Sequence, residues 1–258
     1  MFNFGPALWC PIQNPNFLSV ILQLHGDGVN NGTSFPDTSQ YAWPVTTIVG
    51  TSGLPQTRTA AGAPVSGASA AILFDAVYGV TGSGGLSVAG NSVFDMGSGD
   101  FTIEYSTYFA GNPSANVEYH LCGSTDPNSA IASRIIIYFS HNTSAFTWRF
   151  VQGGAFVNLL FTFSGTPVYG GNGVWRRLCF MRKGNTAYFF VDGIFQSSVP
   201  MTGAIDAGMP IIYLGSENAP GFGQTAPLGG YMSEFRWSIR AQYPITGYTP
   251  ATAPFPNF

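Results

Sequence analysis

Val174-Trp175-Arg176-Arg177-Leu178-Cys179-Phe180-Met181-Arg182-Lys183-Gly184-Asn185-Thr186-Ala187-Tyr188-Phe189-Phe190-Val191-Asp192-Gly193-Ile194-Phe195-Gln196-Ser197 reads as a three-stranded meander. Asp192-Gly193 supplies the positive φ angles of a type I′ turn, whose twist matches that of the strands it joins. Lys183-Gly184-Asn185 makes the other turn. The same period-2 alternation continues outward in both directions. Phe101, Ile103, Tyr105 and Phe109 point one way, and Thr102, Glu104, Ser106 and Tyr108 the other. Phe146, Trp148 and Phe150 share a face opposite Thr147 and Arg149. Val157, Leu159, Phe161 and Phe163 repeat the pattern, as do Tyr231, Ser233, Phe235 and Trp237. Residues 134–139 form an isoleucine-rich run that suits a strand buried on both faces. Residues 17–24 are β-branched and aromatic enough to read as strand. About a dozen strands of roughly 5–9 residues result, spaced as an antiparallel sandwich requires.

Composition narrows the function. The 258 residues carry a net charge of −3, and only 8% are charged, against a usual ~25%. Lys183 is the single lysine. A phosphate-grasping nucleic-acid binder needs a basic stripe that this chain lacks. With 45% hydrophobic and 15% aromatic residues, disorder is excluded. Frequent turns follow from 33 glycines and 18 prolines. No run of ~18 apolar residues exists to cross a membrane as a helix. The first residues, Met1-Phe2-Asn3-Phe4-Gly5-Pro6, lack the basic and apolar regions of a secretory signal. Cys122 and Cys179 lie in apolar stretches and read as reduced core thiols, with Cys10 left over. Synthesis in a reducing cytoplasm is the expectation. A chain this neutral and aromatic also suits burial of part of its surface against partners.

Three regions are expected. Residues 1–17, with Pro6, Pro11 and Pro15, read as an extended arm. Residues 18–243 form the sandwich, interrupted at 51–69 by a Gly-, Ala-, Ser- and Pro-rich stretch that reads as a long surface loop. Residues 244–258 hold four prolines and should run extended over the sandwich.

A series of landmarks follows in order. Leu22-Gln23-Leu24-His25-Gly26-Asp27-Gly28 comes first, then Ser34-Phe35-Pro36-Asp37-Thr38-Ser39 and Ala71-Ile72-Leu73-Phe74-Asp75. Gly97-Ser98-Gly99-Asp100-Phe101-Thr102-Ile103-Glu104-Tyr105, Trp175-Arg176-Arg177-Leu178-Cys179-Phe180-Met181-Arg182 and Phe189-Phe190-Val191-Asp192-Gly193 come next. Gly230-Tyr231-Met232-Ser233-Glu234-Phe235-Arg236 and the closing Tyr248-Thr249-Pro250-Ala251-Thr252-Ala253-Pro254-Phe255-Pro256 complete the set. Each is weak alone; their number and order are specific. The set resembles the laminin-G-like branch of the concanavalin A-like lectin/glucanase superfamily, in the form common in bacteriophage virion and tail proteins. The resemblance spans about residues 18–256. It implies a two-sheet antiparallel jelly-roll sandwich, synthesised in a host cytoplasm and displayed on a virion. His25-Gly26 departs from the aromatic that many members place before the first Asp-Gly, and residues 60–70 and 125–133 are this chain's own.

Function follows from what the residues offer. The glucanase relatives carry two glutamates flanking an aspartate on one strand face, giving an acid and nucleophile about 5–5.5 Å apart. Here Asp100 and Glu104 stand four residues apart with no third carboxylate, which makes a glycan hydrolase the third choice. No Gly-x-Ser-x-Gly elbow occurs, and His25, His120 and His141 lack metal spacing. His25 and His120 read as hydrogen-bonded strand residues. The resemblance also raises Ca²⁺ on the sandwich rim, which needs six to eight converging oxygens. Asp27, Asp37, Asp75, Asp100 and Asp192 instead read as caps of their own turns, so no cofactor is expected. Aromatic side chains in loops could stack on sugar rings; Trp43, Tyr78, Tyr169, Phe222 and Tyr243 are the candidates. Phe2, Phe4, Leu8 and Trp9 are too apolar for a free tail and suit docking onto a neighbour. The expected protein is therefore a non-enzymatic virion structural protein, a capsid decoration or tail-fibre module. It would assemble with itself, as a trimer for example, and with other virion proteins. The alternative is a lectin-like binder of host-surface glycan.

Overall fold

Alternating apolar and polar side chains build the fold strand by strand. The structure, a computed structural model, describes residues 17–49, 54–59, 65, 68, 70–74, 84–109, 117–123, 135–140, 145–162, 174–216 and 228–257. Fifteen strands lie among them: β1 (Val20–Leu24), β2 (Val45–Ile48), β3 (Gln56–Arg58), β4 (Ala71–Phe74), β5 (Gly85–Ala89), β6 (Phe101–Phe109), β7 (Val117–Gly123), β8 (Ile135–Ser140), β9 (Ala145–Gln152), β10 (Ala155–Thr162), β11 (Arg176–Lys183), β12 (Thr186–Val191), β13 (Ile194–Pro200), β14 (Ile211–Leu214) and β15 (Gly230–Ser238). Two single 3₁₀ turns, Phe17–Ser19 and Ser92–Phe94, are the helical elements among the described residues. No described helix is long and apolar enough to cross a membrane.

The strands form two antiparallel sheets. The first runs β13-β12-β11-β6-β15-β4-β3, with β1 also on β15; the second runs β10-β9-β8-β7-β14-β5-β2. The meander appears as read. Asp192 and Gly193 take φ 50° and 76° between β12 and β13. A Cβ on Gly193 would lie 2.0 Å from the Tyr248 carbonyl oxygen, so this turn requires glycine for space as well as for φ.

The inner faces of the two sheets meet in one aromatic core. Phe180 of β11 stacks on Phe189 of β12 at 4.8 Å and meets Phe146 of β9 edge-on at 5.5 Å. Trp148 adds an edge contact to Phe101 at 5.1 Å. Burying each such ring contributes about 1.5–3 kcal/mol. His120 is fully buried in this core, where its Nδ1 lies 3.0 Å from the Tyr105 hydroxyl. Burial in turn pushes the Tyr105 hydroxyl pKa well above its ordinary value.

Three departures from the sequence reading matter. The stretch at 51–69 contains β3, whose Gln56 and Arg58 pair with Leu73 and Ala71 of β4. Three residues are too few to display alternation. In β15 a bulge between Ser233 and Arg236 changes the phase. Met232, Phe235 and Trp237 enter the core, whereas Tyr231 packs outside it against Tyr108 and Trp175. Glu234 sits in the bulge at φ 52°, a left-handed conformation that a side chain other than glycine or asparagine seldom adopts. The bulge falls where β1 ends and β4 begins along the same edge of β15. The His25 carbonyl fills that gap by accepting from Ser233 Oγ at 2.6 Å and Glu234 N at 3.3 Å.

The third departure concerns the aspartates, which mostly hold turns other than their own. Asp100 accepts from Gly184 N, Asp95 from Gly208 N, and Asp206 from Gly153 N and Gly154 N, all at 2.7–2.8 Å. Asp37 does act locally, accepting from Ser39 N and Trp43 N, and it also accepts from Gln23 N of β1. Asp100 thus clips two loops of the first sheet, and Asp206 ties the β13–β14 connection to the β9–β10 turn, each carboxylate satisfying backbone N–H groups with charge-assisted bonds.

Candidate functional site

The outer face of the first sheet carries the polar row of β6, and this row does not face water. Residues 239–257 form a strap that crosses it. Thr102 Oγ1 donates to the Arg240 carbonyl, and Gln242 N donates back to Thr102 Oγ1. The strap runs out to the β12–β13 turn, where Tyr248 N donates to the Gly193 carbonyl at 2.9 Å. It then returns to β1, where Gln23 Nε2 donates to the Pro256 carbonyl at 3.0 Å. Under it lie Cys179, Met181 and Phe190, packed against Ala241, Tyr243 and Tyr248. Burial drives the Cys179 thiol pKa well up, and the thiol is free, as the reading of a reduced core thiol has it.

Two buried glutamates organise the space beneath the strap. Glu104 Oε1 accepts from Arg236 Nε at 3.0 Å and Nη2 at 2.6 Å, and its Oε2 accepts from the Tyr243 hydroxyl at 2.7 Å. Burial works against the Arg236 charge, but the Glu104 carboxylate outweighs it and raises the guanidinium pKa. Burial beside the Glu104 charge also raises the Tyr243 hydroxyl, so it stays a donor. Glu234 is the second. Both its oxygens lie 3.1 Å from His25 Nδ1, and Oε2 accepts from Phe255 N at 2.7 Å. Burial disfavours the His25 imidazolium, but the Glu234 carboxylate more than offsets this and raises the pKa above 6.5. The Phe255 ring completes the closure, with the Arg236 guanidinium 3.7 Å and the Arg177 guanidinium 4.7 Å from its centroid.

A cavity of about 150 Å³ opens beside His25, lined by Asp27, Phe35, Pro36, Thr38 and Asn257 among others. It is room for a few water molecules or one small polar ligand. Near the start of the strap, Tyr41 and Trp43 stack at 5.2 Å with rings 5° from parallel. Trp43 is anchored, its Nε1 donating to the Ile21 carbonyl and its ring tilting onto Phe94. Tyr41 is 39% exposed.

The candidates from sequence scatter. Trp43 backs the exposed Tyr41 ring. Tyr243 is inside the strap, stacked face to face on Tyr248 at 3.6 Å and bonded to Glu104; that face of its ring is occupied by the protein itself. Tyr78, Tyr169 and Phe222 lie outside the described residues, as do Phe2, Phe4, Leu8 and Trp9, and His141 and Asp75. Asp100 and Glu104 serve different ends, one clipping a turn and the other holding Arg236. No group of three or more His, Cys, Asp or Glu side chains converges among the described residues. The residues that sequence reading missed are Gln23, Glu234, Arg236 and Phe255. The one visible signal was Glu234-Phe235-Arg236, an acid and a base in a strand of a chain otherwise almost uncharged.

Comparison with known proteins matches this architecture. The binding domain of Paraclostridial Mosquitocidal Protein 1 shares 15% identity and a TM-score of 0.59, over 88% of this chain and 50% of that one. The binding domain of Botulinum neurotoxin DC in complex with rat synaptotagmin II gives 13%, 0.60, 88% and 50%. The same domain in complex with SialylT gives 13%, 0.58, 87% and 49%. At such identities the likeness is one of fold, and the chain spans about half the length of these proteins. A comparison with curated proteins gives no match. Residues 80–242, more than half of the chain, match the family model of the concanavalin A-like lectin/glucanases, and with the two-sheet sandwich they place the chain in that superfamily.

Proposed function

We propose that the chain is a non-catalytic display and adhesion module of a bacteriophage particle, a capsid decoration or tail-fibre unit. It is made in the host cytoplasm, works without a cofactor, and is joined to its own copies and to other virion proteins. The observation that best supports the non-catalytic part of this reading is the state of the two outer-face glutamates. Glu104 is held by Arg236 and Tyr243, and Glu234 by His25 and the Phe255 amide. A general acid or nucleophile must reach substrate, and these carboxylates reach the strap instead. The scarcity of surface charge supports assembly against partners. The test is the protein content of purified particles. A fixed copy number of this chain per particle is expected; its absence from particles would overturn the virion role.

A second use has its own support. Tyr41, stacked on an anchored Trp43 and 39% exposed, is a preformed platform for the C–H face of a sugar. One fold neighbour is a binding domain in complex with SialylT. Glycan-array binding that Tyr41→Ala abolishes would establish this host-glycan role, and an array without signal would remove it.

A further inference from the structure

Strand β10 ends the second sheet, and among the described residues nothing pairs with its outer edge. Its sequence, Ala155-Phe156-Val157-Asn158-Leu159-Leu160-Phe161-Thr162, contains no charge and no proline. All eight residues pair with β9 in unbroken register, without a bulge. Proteins that stand alone blunt such edges with lysine, proline, bulges or a covering loop; this one uses none of the first three. Phe156 and Leu160 are 37% and 50% exposed on its outer face. Strand β13 ends the first sheet beside it and adds Ile194 and Phe195, 66% and 38% exposed.

The geometry of the hairpin decides which groups are open. Gly153 and Gly154, at φ 58° and 78°, form a two-residue turn, so Gln152 and Ala155 make the first hydrogen-bonded pair. Alternation then turns the N–H and C=O of Ala155, Val157, Leu159 and Phe161 toward β9. Those of Phe156, Asn158, Leu160 and Thr162 point to the open edge.

We propose that this edge pairs with the β10 edge of a second copy of the chain, antiparallel about a two-fold axis through Asn158. In that register Phe156 faces Leu160 of the second copy, Asn158 faces Asn158, and Val157 meets Leu159 on the inner side. Every pair matches in chemistry, and every outward backbone group from Phe156 to Leu160 finds a partner. Moving the axis by one residue sets Asn158 opposite Leu160 or opposite Phe156, amide against hydrocarbon. An isologous contact of this kind closes on itself and gives a dimer with one continuous sheet. The surface rests on the self-association in the proposed function, and names where it occurs.

Two variants and one cross-link test it. Asn158→Pro removes an N–H that points away from β9, together with the side-chain oxygen that accepts from Arg149 Nε at 2.7 Å, so the sheet keeps its backbone ladder while the edge is blocked. Leu160→Lys places a charge on the same edge. By light scattering the unmodified chain is expected to be a dimer, and either variant to weaken association by roughly tenfold or more while keeping the strand content seen by circular dichroism. A short bismaleimide is expected to link Asn158→Cys chains into dimers, beyond the background of the unmodified chain, and not to link chains with Val29→Cys, 78% exposed elsewhere. A monomeric unmodified chain would overturn both this surface and self-association. An oligomer that ignores both substitutions and does not cross-link at position 158 would overturn this surface alone. Should Asn158→Pro fail to fold, Leu160→Lys decides.

Discussion

Glu104 and Arg236 show how a single residue's role depends on what covers it. Both belong to a polar face, yet their side chains are 0% and 16% exposed. Removing one partner of a pair in this setting leaves a buried charge unmatched, which costs about 3–5 kcal/mol. Glu104→Ala is therefore expected to lose about that much stability in chemical denaturation, and Glu104→Ala/Arg236→Met to recover much of it. His25 gives the pH dependence. Its pKa in the folded chain is raised above 6.5 because Glu234 favours the imidazolium. The pair thus contributes fully below about pH 6.5 and loses that contribution as pH rises through the folded value. A melting curve series should show a decline above pH 6.5 that His25→Asn flattens.

At the scale of the element, turns differ in what their glycines do. Gly153 and Gly193 both hold positive φ, but a Cβ on Gly153 meets nothing within 4 Å, while one on Gly193 strikes the Tyr248 carbonyl. Gly153→Ala should cost about 1–2 kcal/mol, the left-handed penalty alone. Gly193→Ala should cost more and expose the strap to proteolysis at residues near 248. The strands were legible because alternation is local: the meander and its Asp192-Gly193 turn follow from neighbouring residues. The bulge at Glu234 was not, because its positive φ is imposed by the end-to-end meeting of β1 and β4, whose residues lie more than 150 positions away. The strap was hidden for a different reason. Thr102, Glu104 and Ser106 form a polar row, and a polar row is compatible with water or with a polar cover alike. Its partners Arg236, Tyr243 and Phe255 are distant in sequence, and nothing local marks the pairing.

For the whole molecule, the two outer faces of the sandwich have different fates. The first sheet's is roofed by the chain's own strap, and the second sheet ends in an edge that no other described residue pairs with. The display and adhesion role proposed above draws on that division, with one side closed by the chain itself and the other left for a partner. Cys179 reports on the roof. Its thiol is buried and shifted well up by that burial, so maleimide should label it only on unfolding. Tyr248→Ala, which removes one ring of the stack above it, should raise Cys179 labelling at least about tenfold, read at that residue by mass spectrometry. The most direct measurement of the central claim is hydrogen exchange at the Tyr248 and Phe255 amides, which donate to Gly193 and Glu234. Protection matching that of β15 is predicted, since strap and sheet open together. Exchange as fast as in a free peptide would mean that the roof is open and its carboxylates stand ready for substrate.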